Sequence, residues 1–296
     1  MDFGARGWYV RCWYRMTLSA QKGGVAVQDL IEAIRDRRAL LFVGAGVSMN
    51  LGIPSSRALT AHLAEKLGHD PEEFHGLGDD STLAEYYAIE TGSIGPLRSW
   101  MDVEWHRDAE EKVRRSDIHR RIVELAFPVI YTTNYDRYLE WAFEAHGRPY
   151  VKITSVADLV HAPTDAVQVV KFHGDFDDDD SIVLTESSYF DRLDFESPLD
   201  VKLRSDLLGK SILFIGYSLS DVNMRYLFFK LNKMWTASAY ANVRPTSYVY
   251  LVESNPVQEA ILASRGITPI VAREKNFGEG LRSFLTELRE TTGSEN

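Results

Sequence analysis

Four short stretches of this chain combine residue types that can do chemistry. Gly44-Ala45-Gly46, with Ser48 two positions on, exposes backbone N–H groups without side-chain bulk, the requirement for holding a phosphate or pyrophosphate closely. Thr133-Asn134-Tyr135-Asp136 sets an amide and a carboxylate two residues apart. His173-Gly174 supplies an imidazole, whose ordinary pKa of about 6.5 suits proton transfer near neutrality. Gly216-Tyr217-Ser218 adds a second small-residue turn with a hydroxyl.

Each stretch has a plainer reading. Gly-x-Gly after a strand also makes a tight turn that holds no ligand, and Val47-Ser48-Met49 gives no third glycine for a dehydrogenase fingerprint. His173 could bond a neighbouring carbonyl, and Asn134 and Asp136 could cap a helix. What favours chemistry is position. Apolar runs of strand length precede all four: Ala39–Val43, Val129–Thr132, Val167–Phe172 and Ser211–Ile215. Helical periodicity resumes after the turns. Strands alternating with helices predict an α/β fold, a Rossmann-like parallel sheet of about six strands with helices on both faces. In such a sheet the carboxyl ends of the strands line the ligand crevice.

The rest of the chain supplies the scaffold. Val25–Arg37 reads as an amphipathic helix with Leu30, Ile31 and Ile34 on one face. Ser55 or Ser56 can start the next helix and Gly68 can end it. Residues from about 70 to 126 lack strand signals and read as a helical insert over the glycine turn. His106 and His119 within it read as solvated or capping histidines. Asp177–Asp180 reads as a solvated turn, Ser181–Thr185 as a short strand and Glu186–Lys210 as one helical stretch. Ser220 or Asp221 is a natural cap. Strands at Val151, Tyr248 and Thr268 and a last helix complete a domain over about 25–290. Residues 1–24 read as an N-terminal arm or an extended start with Met16 as initiator, and 291–296 as a flexible tail.

Composition narrows the function classes. A net charge of -10 argues against broad nucleic-acid binding by this chain. No apolar run reaches the roughly 20 residues of a membrane helix. The single cysteine, Cys12, can form neither an intrachain disulfide nor a four-cysteine zinc site, and fits a cytoplasmic protein. No spacing resembles a metal site.

The order and spacing of GAGVS, GIP with Arg57, TTNYD, KFHGD and FIGYS resemble the sirtuin (Sir2) superfamily, in its zinc-less bacterial branch, from about Ala39 to Leu227. The resemblance implies that Gly44, Ala45, Gly46 and Ser48 hold the pyrophosphate of NAD+. It places Thr133, Asn134 and Asp136 around nicotinamide and its ribose, with Thr133 standing where the family has glutamine. It makes His173 the catalytic histidine, sets Gly216 and Ser218 against the adenosine side, and keeps Arg57 as a binding residue. Ser56 replaces the phenylalanine over the nicotinamide pocket.

The activity so implied is NAD+ hydrolysis to ADP-ribose and nicotinamide, with Asn134, His173 and Asp136 catalytic and no metal required. The resemblance further implies a defence effector, a homo-oligomer gated by assembly or by a separate partner such as a HerA-type ATPase or a short Argonaute. Two other readings stand beside it: a module that binds NAD or ADP-ribose without turnover, and a zinc-free deacylase or ADP-ribosyltransferase.

Overall fold

The computed structural model describes residues 27–163, 165–194, 196–219 and 221–293. The expected arm at 1–24, Cys12, Ser220 and tail residues 294–296 lie outside them. Seven strands form one sheet, one more than the expected six: β1 (Ala39–Val43), β2 (Val129–Thr132), β3 (Tyr150–Ile153), β4 (Val167–Lys171), β5 (Ser211–Ile215), β6 (Ser247–Leu251) and β7 (Ile267–Val271). The order is β3-β4-β2-β1-β5-β6-β7 and all pairings are parallel. The outer strands β3 and β7 are only partly buried, so their apolar signal is the weakest.

Strand side chains alternate between faces, and here both faces are covered. Ala39, Leu41 and Val43 of β1 enter one apolar cluster with Leu30, Ile31 and Ile34 of the helix over 27–35. Leu40 and Phe42 enter the opposite cluster with Leu203, Leu227 and Phe228. Such two-sided burial explains why β1 and β5 read as continuous apolar runs.

A third cluster lies apart from the sheet. Leu59 and Leu63 of the helix Ser56–Leu67 meet Phe74, Leu83, Leu97 and Met101, with Tyr135, Phe176, Ile182 and Leu184 from the sheet side. Ser55 caps the first helix of this group and Gly68 ends it in a left-handed turn at φ 75. The helices Ala109–Arg114 and Asp117–Glu124 instead share the sheet's own core through Val113, Ile118 and Ile122.

Two readings of local structure are corrected. Ile182–Leu184 is not a strand: it follows a 3-10 turn, and the side chains of Ile182 and Leu184 enter the third cluster. Glu186–Lys210 is two helices, Glu186–Phe190 and Pro198–Gly209, because Ser197-Pro198 starts a new one.

Candidate functional site

The four strands that end in the chemistry-bearing turns are neighbours at the centre of the sheet, in the order β4-β2-β1-β5. After β1 the chain builds outward on one side, then returns to place β5 on the other. A ligand crevice is expected at such a switch point. There the two glycine turns touch. Gly44 N–H donates to the Ile215 carbonyl at 2.9 Å, and Gly46 N–H donates to the Gly216 carbonyl at 2.9 Å. A Cβ on Gly44 would stand 2.5 Å from the Gly216 oxygen, and Gly216 itself has φ 61. Only glycine fits both constraints.

The amide–carboxylate turn at the end of β2 is held from three directions. Asn134 donates its side-chain N–H to Ser48 Oγ at 3.1 Å, tying this turn to the glycine turn. Asp136 accepts the Tyr138 N–H at 3.0 Å, and Tyr135 donates its hydroxyl to the Val183 carbonyl at 2.7 Å. Beneath them lies Lys171, the last residue of β4, with its side chain fully buried. Its Nζ donates to the carbonyls of Tyr135 and Asp136, and it pairs with Glu140 and Asp175, each at 3.2 Å. Burial works against its charge, but the two carboxylates outweigh that and keep the ammonium protonated.

His173 follows two residues later and is 3% exposed. Its Nε2 lies 3.3 Å from Asp221 Oδ2, yet neither atom makes a hydrogen bond of acceptable geometry. The Tyr189 ring meets the imidazole edge-on at 5.4 Å. Burial, with the charge of Arg192 adding to it, pushes the His173 pKa down to about 3, so the ring is neutral near pH 7. The expectation of an ordinary value near 6.5 is therefore corrected. Burial pushes the Asp221 carboxyl the opposite way, above its usual range, against hydrogen bonds from the Asn223 and Met224 N–H groups. Asp221 was legible only as a helix cap. It does cap Val222–Thr236, but one of its oxygens remains for the site. Tyr217 Oη is buried beside the Asp221 carboxyl without a hydrogen bond of good geometry. Orphaned polar atoms of this kind cost about 1–3 kcal/mol each unless a ligand or water meets them.

The four strand-end turns, with Tyr189 and Asp221, border one cavity of about 580 Å³. Ala45, Ser48, Thr133, Asn134, Asp136, His173, Gly216 and Ser218 line it, whereas Gly44 and Gly46, also expected to bind, do not line it and direct their N–H groups to the Ile215 and Gly216 carbonyls. Arg57 does not line it. Its guanidinium points to the surface and pairs with Glu72 at 2.5 Å, since both helices of that pair face solvent there. The sequence reading also missed Tyr189, Asp80 and Glu186, which close the cavity from the helical side. Glu85 accepts from Ser187 N and Oγ at 2.9 and 3.0 Å, and Thr82 donates to Glu186 at 3.2 Å. These bonds strap Glu186–Phe190 to the helix Asp80–Thr91.

Neighbouring polar groups depart from their expected solvation. His119 is buried, bonds Ser116 Oγ through Nδ1 at 2.9 Å, and has its pKa pushed down to about 4 by burial. His106 accepts the Arg137 N–H at 3.0 Å and meets Asp102 at 2.7 Å, a capping role. Asp177 and Asp179 pair with Lys152, Arg137 and Arg98. Among the described residues no cluster of three or more histidine, cysteine or acidic side chains could hold a metal, and no helix is long and apolar enough to cross a membrane.

Known proteins resemble this chain over most of its length. Residues 128–270 match the family model described as SIR2-like domain. A protein of Enterococcus faecium named NAD(+) hydrolase ThsA is 33% identical over 203 residues, 68% of this chain and 41% of that protein. Its namesake in Bacillus cereus (strain MSX-D12) is 30% identical over 204 residues, again 68% and 41%. Defense-associated sirtuin 2 of Bacillus subtilis is 27% identical over 209 residues, covering 68% of this chain and 20% of that protein. The chain thus spans about two fifths or less of the length of these relatives. With the four strand-end motifs gathered around one cavity and the family match running through three of them, the chain carries a SIR2-like domain.

Proposed function

We propose that the cavity holds NAD+ and that the chain hydrolyses its nicotinamide–ribose bond, giving ADP-ribose, nicotinamide and a proton. The observation that carries this is the buried pair: Nε2 of His173 and Oδ2 of Asp221, 3.3 Å apart without a well-formed hydrogen bond, on the wall that also holds Asn134 and Asp136. The two relatives named NAD(+) hydrolase, aligned over 203 and 204 residues, support it.

The chemistry follows from the leaving group. The ring nitrogen is already cationic, so the C–N bond breaks with its electron pair going to nicotinamide. An oxocarbenium-like ribose remains, which water attacks. The protein's task is to position the ribose, exclude bulk water and stabilise developing positive charge. Asn134 orients the water or the carboxamide, and Asp136 holds a ribose hydroxyl or the carboxamide. The neutral His173 accepts a proton from water or a ribose hydroxyl. As a weak base it does not keep that proton, and Asp221, 3.3 Å away with an upward-shifted pKa, is placed to take it.

The defence role rests on the name of the Bacillus subtilis relative. Unchecked NAD+ loss would harm a host cell, so the activity is gated by assembly or by a separate protein of the HerA-type ATPase or short Argonaute kind, and it operates in the cytoplasm. A second reading has one observation behind it: a fully buried histidine of such low basicity suits a module that binds NAD+ without turnover. Incubating the chain with NAD+ and following products by chromatography separates the two. ADP-ribose with nicotinamide supports hydrolysis. Intact NAD+ with saturable binding supports the module.

A further inference from the structure

Asp136 and His173 line the cavity from different strand ends, so contacts between their two turns must fix how they stand to each other. One such contact runs through Arg137, the residue after Asp136. Its main-chain N–H donates to His106 Nε2 at 3.0 Å. Its guanidinium donates one N–H to Asp102 at 2.8 Å and another to Asp177 at 3.0 Å. Asp102 and His106 belong to the helix Gly95–His106, and Asp177 stands four residues beyond His173. One residue thus joins that helix, the turn after β2 and the turn after β4.

Both turns are stiff where Arg137 meets them. On one side the Asp136 carboxylate accepts the Tyr138 N–H at 3.0 Å, and its carbonyl accepts from Lys171 Nζ. On the other side Val183 N–H donates to the His173 carbonyl at 2.9 Å, Asp175 N–H donates to Ser181 Oγ at 3.0 Å, and Phe176 is fully buried. Gly174 has φ 94, and a Cβ there would clash with the Ser181 carbonyl. Lys152 pairs with Asp175 and Asp177 at 3.2 and 2.5 Å. The stretch from His173 to Asp177 therefore moves as a piece, and holding Asp177 holds His173.

We propose that Arg137 is a positioning residue for NAD+ cleavage, which sets Asp136 against His173 by clamping their turns together and to the helix Gly95–His106. This rests on the hydrolysis reading and adds the part that aligns its groups. Arginine suits the task because its planar fork reaches carboxylates on two elements at once. The side chains of Arg137 and Asp177 are 29% and 55% exposed, and ion pairs this close to water add little to stability. What the clamp supplies is geometry, and a displacement of reacting groups by about 1 Å can cost about 100-fold in rate.

The test measures nicotinamide release, NAD+ affinity by calorimetry and the denaturant midpoint on the full chain, for wild type, Arg137→Ala, Arg137→Lys and Asp177→Asn. Arg137→Ala should lower kcat by about 10- to 100-fold while NAD+ affinity stays within about threefold. Arg137→Lys should recover only part of that loss, because one ammonium cannot hold both carboxylates. Asp177→Asn weakens the same joint from its other side and should lower kcat by a smaller factor. Arg121→Ala is the control: it breaks a comparable pair with Glu124, neither residue lines the cavity, and kcat should stay at the wild-type value. Wild-type kcat in folded Arg137→Ala, or in Asp177→Asn where Arg137→Ala does not fold, would overturn the proposal. So would a loss seen only in NAD+ affinity or only in the midpoint. A wild type that binds NAD+ without releasing nicotinamide would instead overturn the hydrolysis reading, and the role of Arg137 with it.

Discussion

Nε2 of His173 and Oδ2 of Asp221 face each other across 3.3 Å at the ends of different elements, one following β4 and the other opening the helix after β5. The pair is buried, and neither atom has a hydrogen-bond partner of good geometry. In the proposed reaction the pair serves as a proton route from a weakly basic histidine to a carboxylate held above its usual pKa. Asp221→Asn removes that acceptor while keeping an oxygen for the Asn223 and Met224 N–H groups. We expect kcat for NAD+ cleavage to fall about 100-fold, within the usual range for general acid–base groups, with KM changed little. A loss confined to KM would assign Asp221 to binding alone.

The low His173 pKa also fixes the shape of the pH profile. The neutral form prevails above about pH 3, so activity should show no acid limb near 6.5. Measured kcat/KM should stay level between pH 7.5 and 6. A tenfold drop over that interval, absent from a free-histidine-independent control substrate step such as NAD+ binding, would contradict the burial argument.

His119 offers a stability test with a definite sign. Its folded-state pKa, near 4, lies below the unfolded value of about 6.5. The unfolded chain therefore binds the extra proton first. The contribution is fully present above pH 6.5 and is lost as pH falls toward 4, amounting to roughly 3 kcal/mol there. Urea unfolding of wild type and His119→Leu at pH 7 and pH 4.5 checks this. The variant should lose less stability between the two conditions.

Lys171 anchors the Asn134–Asp136 turn from below. Lys171→Met leaves Glu140 and Asp175 without their buried counter-charge and should cost about 3–5 kcal/mol. Adding Glu140→Leu should recover part of the loss. Denaturant midpoints of the two variants provide the measurement, and equal losses would show that the cluster carries little coupling.

How much of this was legible beforehand depended on whether a signal was local. The glycine turns, Asn134, Asp136 and His173 announce themselves because each follows an apolar run, and the sheet order then makes their four strands adjacent. Ile182–Leu184 misled because apolar content serves the third cluster as readily as a strand. Arg57 misled because a matching residue type says nothing about the direction of its side chain, which here meets Glu72. Asp221 was hidden behind its capping role, and Asp80 and Glu186 behind ordinary helix starts. Their convergence depends on tertiary contacts such as Glu85 with Ser187, far apart in the sequence.

The central claim is that one buried imidazole serves the cleavage of one dinucleotide bond. Its most direct test is the single-turnover rate of nicotinamide release from NAD+, compared between wild type and His173→Ala at matched occupancy. The account predicts measurable release by wild type under activating assembly conditions, and loss of at least about 100-fold in the variant with NAD+ affinity retained. Release by the variant at the wild-type rate would contradict it.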